Sequence, residues 1–170
     1  MKSSKSIWLV GSGPMAEAYA SVLKAQAVDF HVIGRGTASA EAFQRVTGVP
    51  VISGGLDTAL AKMPRPEKAI VAVGVEKLAY VAQQLIKSGC KNVLLEKPGG
   101  LHISELKELS SYARINDARV LIAYNRRFYA SVRKLHELAA NDGGITSATF
   151  EFTEWSHSLQ DLKKAPGVKE

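Results

Sequence analysis

The chain has 170 residues, 46% of them hydrophobic and 22% charged, which gives room for one sizeable core with a small appendage and excludes a mainly disordered protein. Its single cysteine, Cys90, excludes an intrachain disulfide scaffold, and no apolar run approaches the roughly 18 residues that a membrane helix needs. The net charge of +6 lies on scattered lysines and arginines and favours phosphate-like partners; with no basic block and no zinc-finger or helix-turn-helix spacing, nucleic acid is not an expected partner.

The first apolar run, residues 7–10, is too short for a signal-peptide core and reads as a strand, so a cytoplasmic protein is expected. Further runs follow at 30–33, 49–52, 69–73, 92–95 and 120–123. Each is continuous rather than alternating, as strands buried on both faces are. Helical periodicity fills the intervals. Met15, Tyr19, Val22 and Leu23 share one face, and Leu78, Val81, Ala82, Leu85 and Ile86 share another. Two more amphipathic helices are expected over 101–114 and 127–140, with Gly89 stopping the Leu78 helix and Gly143-Gly144 breaking the chain after the last one. This alternation predicts a doubly wound parallel α/β sheet over residues 1–144. Beyond it, Thr146, Thr149, Phe150, Phe152 and Trp155 form a β-rich, partly alternating run. It predicts a strand that leaves the parallel sheet and opens a second α/β domain over 145–170. The exposed edge of such a strand predicts a homo-oligomer paired through it.

The most informative residues are Gly11-Ser12-Gly13-Pro14-Met15-Ala16, directly after the first strand and at the opening of a helix. That is the context a dinucleotide-binding turn requires. Gly11 permits the tight turn, Gly13 lets backbone approach a pyrophosphate, and Ala16 stands where a third glycine often sits. Pro14 suits the first helical position, and the helix start offers free N–H groups to phosphate. The second strand is followed by Gly34-Arg35-Gly36-Thr37, where NAD-binding chains usually carry a carboxylate for the ribose hydroxyls. Arg35 in that neighbourhood suits a 2′-phosphate instead, with Thr37 and Ser39 as hydroxyl donors, so NADP is the preferred cofactor and NAD a possible one.

Glu96-Lys97-Pro98 after the fifth strand and Tyr124-Asn125-Arg126-Arg127-Phe128 after the sixth complete a set of three ordered motifs. Together they resemble the Gfo/Idh/MocA oxidoreductases, the glucose–fructose oxidoreductase and inositol 2-dehydrogenase relatives. The resemblance covers Ile7 to about Phe152. It implies a Rossmann domain followed by a C-terminal α/β substrate domain, with sugars, inositols and related polyols or their nucleotide conjugates as substrates. It further implies that Lys97 reaches the reacting hydroxyl or carbonyl, that Glu96 holds this lysine or the nicotinamide ribose, that a cis bond precedes Pro98, and that Asn125 and Arg126 lie near nicotinamide and substrate. Val73 and Gly74 stand where the family carries a Pro-Asn pair beside the cofactor; here that pair and the histidine after it are missing. The Asp and His pair of the family's second domain also has no counterpart, and none of His31, His102, His136 and His157 is assigned as general base.

The leading expectation is therefore the cofactor-binding part of an oxidoreductase that passes hydride between a nicotinamide cofactor and a sugar- or inositol-like polyol, in polysaccharide or nucleotide-sugar metabolism. Two rivals use the same turn: a standalone dinucleotide-binding or redox-sensing module, and a Rossmann-like domain for another nucleotide ligand. The motifs after strands five and six favour the first, since a sensor has no need of Lys97 beside nicotinamide. The metal expectation is none.

Overall fold

A computed structural model of the chain describes residues 7–151. They fall into two compact units that divide after Asn125. In the first unit six strands alternate with five helices: β1 (Ile7–Val10), α1 (Pro14–Ala25), β2 (Phe30–Ile33), α2 (Thr37–Thr47), β3 (Val51–Ile52), α3 (Gly55–Lys62), β4 (Lys68–Val71), α4 (Leu78–Lys87), β5 (Asn92–Leu95), α5 (Ile103–Ile115) and β6 (Arg119–Ile122). The strands form one sheet in the order β3-β2-β1-β4-β5-β6, parallel at every pairing. This is the doubly wound α/β fold expected from the alternation.

Successive side chains of β1, β4 and β5 enter two different cores. Trp8, Val10, Val71, Val93 and Leu95 meet α4 and α5 through Leu78, Ala82, Leu85 and Leu109. Leu9, Val32 and Ile70 meet α1 and α2 through Ala16, Ala20, Leu23 and Phe43. Burial on both faces explains why these runs are continuous, whereas β6, expected to be buried likewise, lies at the sheet edge and alternates between exposed and half-buried, with Leu121 54% exposed. The expected apolar face of α1 needs correction, however. Met15 and Val22 are about half exposed, at 48% and 52%. Leu23 and, in part, Tyr19 pack as expected, and the rest of the face against the sheet is Ala16 and Ala20, whose small side chains let this helix lie close to the strands.

Element ends also differ from expectation, for local reasons. The third strand is only Val51–Ile52. The Val49 N–H is taken by Thr47 Oγ1, and Pro50 has no N–H to give to a ladder. The fourth strand ends at Val71 rather than at Val73, since the chain turns at Gly74 into a short 3-10 turn over Val75–Lys77. Helix α5 starts at Ile103, not at Leu101, because the Glu105 carboxylate accepts the N–H groups of Leu101 and His102 and so caps the helix there. Gly89, at φ +100°, terminates α4 as expected.

In the second unit a helix α6 runs over Ala130–Asn141, later than the expected 127–140, and is followed by Gly143 and Gly144, both at positive φ. The strand expected from Ile145 is absent from 145–151, where the backbone has no ladder partner among the described residues. A lone extended segment without neighbours has nothing to hold it as a strand. Phe152 and Trp155 lie outside the described residues.

Candidate functional site

The parallel register brings the loops after β1, β2, β4, β5 and β6 to one edge of the sheet. Val10 pairs with Ile33 and with Val71, Val71 with Leu95, and Leu95 with Ile122. One residue further on, a row of backbone hydrogen bonds extends the ladder. Gly11 N–H donates to Ile33 O at 2.9 Å, Ala72 N–H to Val10 O at 2.8 Å, Glu96 N–H to Val71 O at 2.9 Å and Ala123 N–H to Leu95 O at 2.9 Å. Five loops thus leave a level, rigid platform at the carboxyl ends of the strands, where open α/β sheets bind ligands.

Gly11 has φ +129°, and a Cβ there would collide with the backbone carbonyl of Ala72. Only glycine permits this turn to pass so close to β4. Gly13 is extended, and nothing lies within 4 Å of where its Cβ would be. It is also the N-cap of α1, with no side chain to close the helix end. The first helical bond runs from Glu17 N–H to Gly13 O, so the N–H groups of Met15 and Ala16 have no partner among the described residues. Pro14 has no N–H, and Ala16 is fully buried against the sheet. An open approach, free donors and the helix dipole together fit a pyrophosphate.

The second loop is tied to this turn. Ser12 Oγ donates to Ser39 Oγ at 3.1 Å, and Ser39 Oγ donates to Gly36 O at 3.1 Å. Gly34 is wedged between Val51 and Ser12, which leaves no room there for a side chain. Arg35 is exposed and has no ion pair or hydrogen bond among the described residues. Thr37 opens α2, whose first turn carries no acid and whose N-cap, Gly36, has no capping side chain. A free guanidinium therefore stands beside a second uncapped helix start.

Glu96 is the buried charged residue of this edge, 8% exposed. Tyr19 Oη donates to its Oε1 at 2.6 Å, and the Lys97 N–H donates to its Oε2 at 3.3 Å. Burial, reinforced by the hydrogen-bonded Glu96 carboxylate, pushes the Tyr19 hydroxyl far above its ordinary pKa. The Lys97 side chain is exposed, and the Lys97–Pro98 bond is cis. Gly74 lies under the Glu76 carboxylate, whose oxygens would be 2.6 Å from a Cβ at Gly74. Asn125 is exposed at the end of this unit, its N–H on Ala123 O. Val73 is half-buried at the same edge. Arg126 belongs to the second unit and is not placed against the others.

Sequence reasoning missed Tyr19 and Glu76. Tyr19 was grouped with apolar residues by its spacing, and only the tertiary contact shows that its hydroxyl meets a carboxylate 77 positions away. Glu76 carries no sequence signal, because a lone glutamate in a loop is ordinary.

Residues 5–124 match an oxidoreductase family, Gfo/Idh/MocA, with an NAD-binding Rossmann fold. Trans-1,2-dihydrobenzene-1,2-diol dehydrogenase of Oryctolagus cuniculus is 30% identical over 152 residues, which are 86% of this chain and 46% of the rabbit protein. Among solved structures, GenD2 from gentamicin A biosynthesis, in complex with NAD, is 27% identical at a TM-score of 0.72, over 84% of this chain and 40% of that one. WlbA dehydrogenase from Bordetella pertussis, in complex with NADH and UDP-GlcNAcA, shares the fold at a TM-score of 0.69 and 18% identity, over 81% and 43%. The chain thus spans less than half the length of these relatives.

Proposed function

The chain belongs to the Gfo/Idh/MocA oxidoreductase family with an NAD-binding Rossmann fold, and from that premise we propose that it is the cofactor-binding part of an NADP(H)-preferring enzyme that oxidises or reduces a sugar- or inositol-like polyol. The observation that carries this reading is the 2.6 Å bond between Tyr19 and Glu96. Through it the helix that starts at the glycine turn reaches within one residue of Lys97, so a dinucleotide held by its pyrophosphate at Gly13 would extend toward that lysine.

In this reading Gly11, Ser12, Gly13, Pro14 and Met15 seat the pyrophosphate, and Arg35 and Thr37 take the adenosine 2′-phosphate. Val73, Gly74, Glu96 and Asn125 border the nicotinamide half. The bound dinucleotide supplies the hydride donor or acceptor. Lys97 is the catalytic residue: its exposed ammonium stabilises negative charge that develops on the substrate oxygen as the carbon–hydrogen bond is remade. The hydroxyl proton needs an acceptor. We assign it, with the choice of polyol, to the additional length that the relatives carry. The relative solved with UDP-GlcNAcA and the one from gentamicin A biosynthesis agree with a sugar-like substrate.

The test is direct. The isolated chain binds NADPH, read as a change in nicotinamide fluorescence, and turns over polyols negligibly. A chain that binds no dinucleotide overturns the reading. Robust polyol dehydrogenase activity from these 170 residues alone overturns the assignment of the proton acceptor to another segment.

A further inference from the structure

We propose that Tyr19 is a positioning residue that clamps the catalytic edge to the phosphate-binding helix. Tyr19 lies in α1, five residues after Pro14, and its hydroxyl crosses to the end of β5. There it holds one oxygen of Glu96 while the other oxygen holds the Lys97 N–H. The carboxylate is buried, so its oxygens need hydrogen-bond donors from the protein. Two hydrogen bonds at its two oxygens leave it little rotational freedom. The direction of the backbone at Lys97 is thereby set by a group on the helix that would carry the pyrophosphate.

This arrangement has a purpose in hydride transfer. The reacting carbon of a bound dinucleotide lies several bonds away from its pyrophosphate, and small displacements at a reacting centre are costly. A lysine referenced to the same helix as the pyrophosphate keeps its register with the cofactor. The raised pKa of Tyr19 agrees with a hydroxyl that stays protonated and donating over the whole working pH range. No other side chain among the described residues is found on Glu96.

The clamp rests on the dinucleotide reading above for its purpose, but its geometry is tested without any ligand. In the ligand-free chain, amide hydrogen exchange at Lys97 is expected to be at least several-fold faster in Tyr19→Phe than in wild type, with the helix α4 amides unchanged. Equal exchange at Lys97 overturns the clamp. The second arm titrates NADPH and 2′-phospho-ADP-ribose, which lacks the nicotinamide. Tyr19→Phe is expected to weaken NADPH severalfold and to leave the fragment's affinity unchanged; equal losses of both overturn positioning in favour of helix packing. If wild type binds neither compound, the functional reading fails and the exchange arm alone decides the clamp. Should Tyr19→Phe fail to fold, Tyr19→Met likewise removes the hydroxyl while keeping apolar bulk on α1. It is read in the same two arms with the same expected and overturning results.

Discussion

Replacing Arg35 with Asp isolates the question of cofactor choice. NADPH and NADH differ only in the 2′-phosphate, so discrimination must arise where the adenosine ribose docks. In the free chain Arg35 is exposed and has no ion pair or hydrogen bond among the described residues, so the substitution breaks nothing already formed and should change stability by no more than about 0.5 kcal/mol. The binding effect is larger. A hydrogen bond to a charged group contributes about 1.5–3 kcal/mol, and an exposed site belongs at the low end of that range because solvent and salt screen it. A loss of about 1.4 kcal/mol or more is at least about tenfold in affinity. Placing a carboxylate opposite the phosphate adds repulsion of the same order. The variant should therefore bind NADPH at least about tenfold more weakly, bind NADH as well as before or better, and show a difference that narrows as salt is raised. Parallel fluorescence or calorimetric titrations of both cofactors against wild type and variant decide it. Equal wild-type affinities, or equal losses in the variant, refute the reasoning and mean that Arg35 stacks on the adenine without reading the phosphate.

Four further outcomes are expected. Gly11→Ala puts a methyl group onto the Ala72 carbonyl at a positive φ, which should cost about 2–5 kcal/mol and appear as a large fall in the midpoint of thermal unfolding; an unchanged midpoint means the turn relaxes freely. Burial pushes the Cys90 thiol from 9.0 up to about 11. Thiol reagents should therefore modify it only after unfolding, and modification of the native chain at neutral pH counts against the packing of α4 on β5. The same shift has a sign for stability. Above about pH 9 the unfolded chain gives up the Cys90 proton that the folded chain retains, so stability falls as pH rises toward 11; denaturation midpoints that rise over this window contradict it. Copies of the chain are expected to associate through Thr146–Trp155, in and before which Phe150 and Ile145 are exposed. Sedimentation that finds only monomer at high concentration refutes this.

The architecture was legible in the sequence because it rests on local signals. Continuous apolar runs mark strands buried on both faces, and the glycine turn after Val10 marks where the first helix begins. Gly11 is a case in which sequence and structure give one reason: the φ value and the neighbouring carbonyl both demand it. The Glu96-Lys97-Pro98 motif was likewise visible by its place after the fifth apolar run. What stayed hidden depended on contacts between distant segments. Tyr19 looked like one more residue of an apolar stripe until the fold set it against Glu96. Met15 and Val22 fitted the same periodicity, yet they are exposed, because the sheet selects the small side chains that allow close approach. The run after Ile145 had the composition of a strand and lacks one over 145–151. Apolar alternation expresses only a capacity to pair, whereas a strand exists where another backbone supplies the hydrogen bonds. Periodicity and turn chemistry belong to neighbouring residues, but burial, ladder pairing and the partners of a buried carboxylate are properties of the assembled chain.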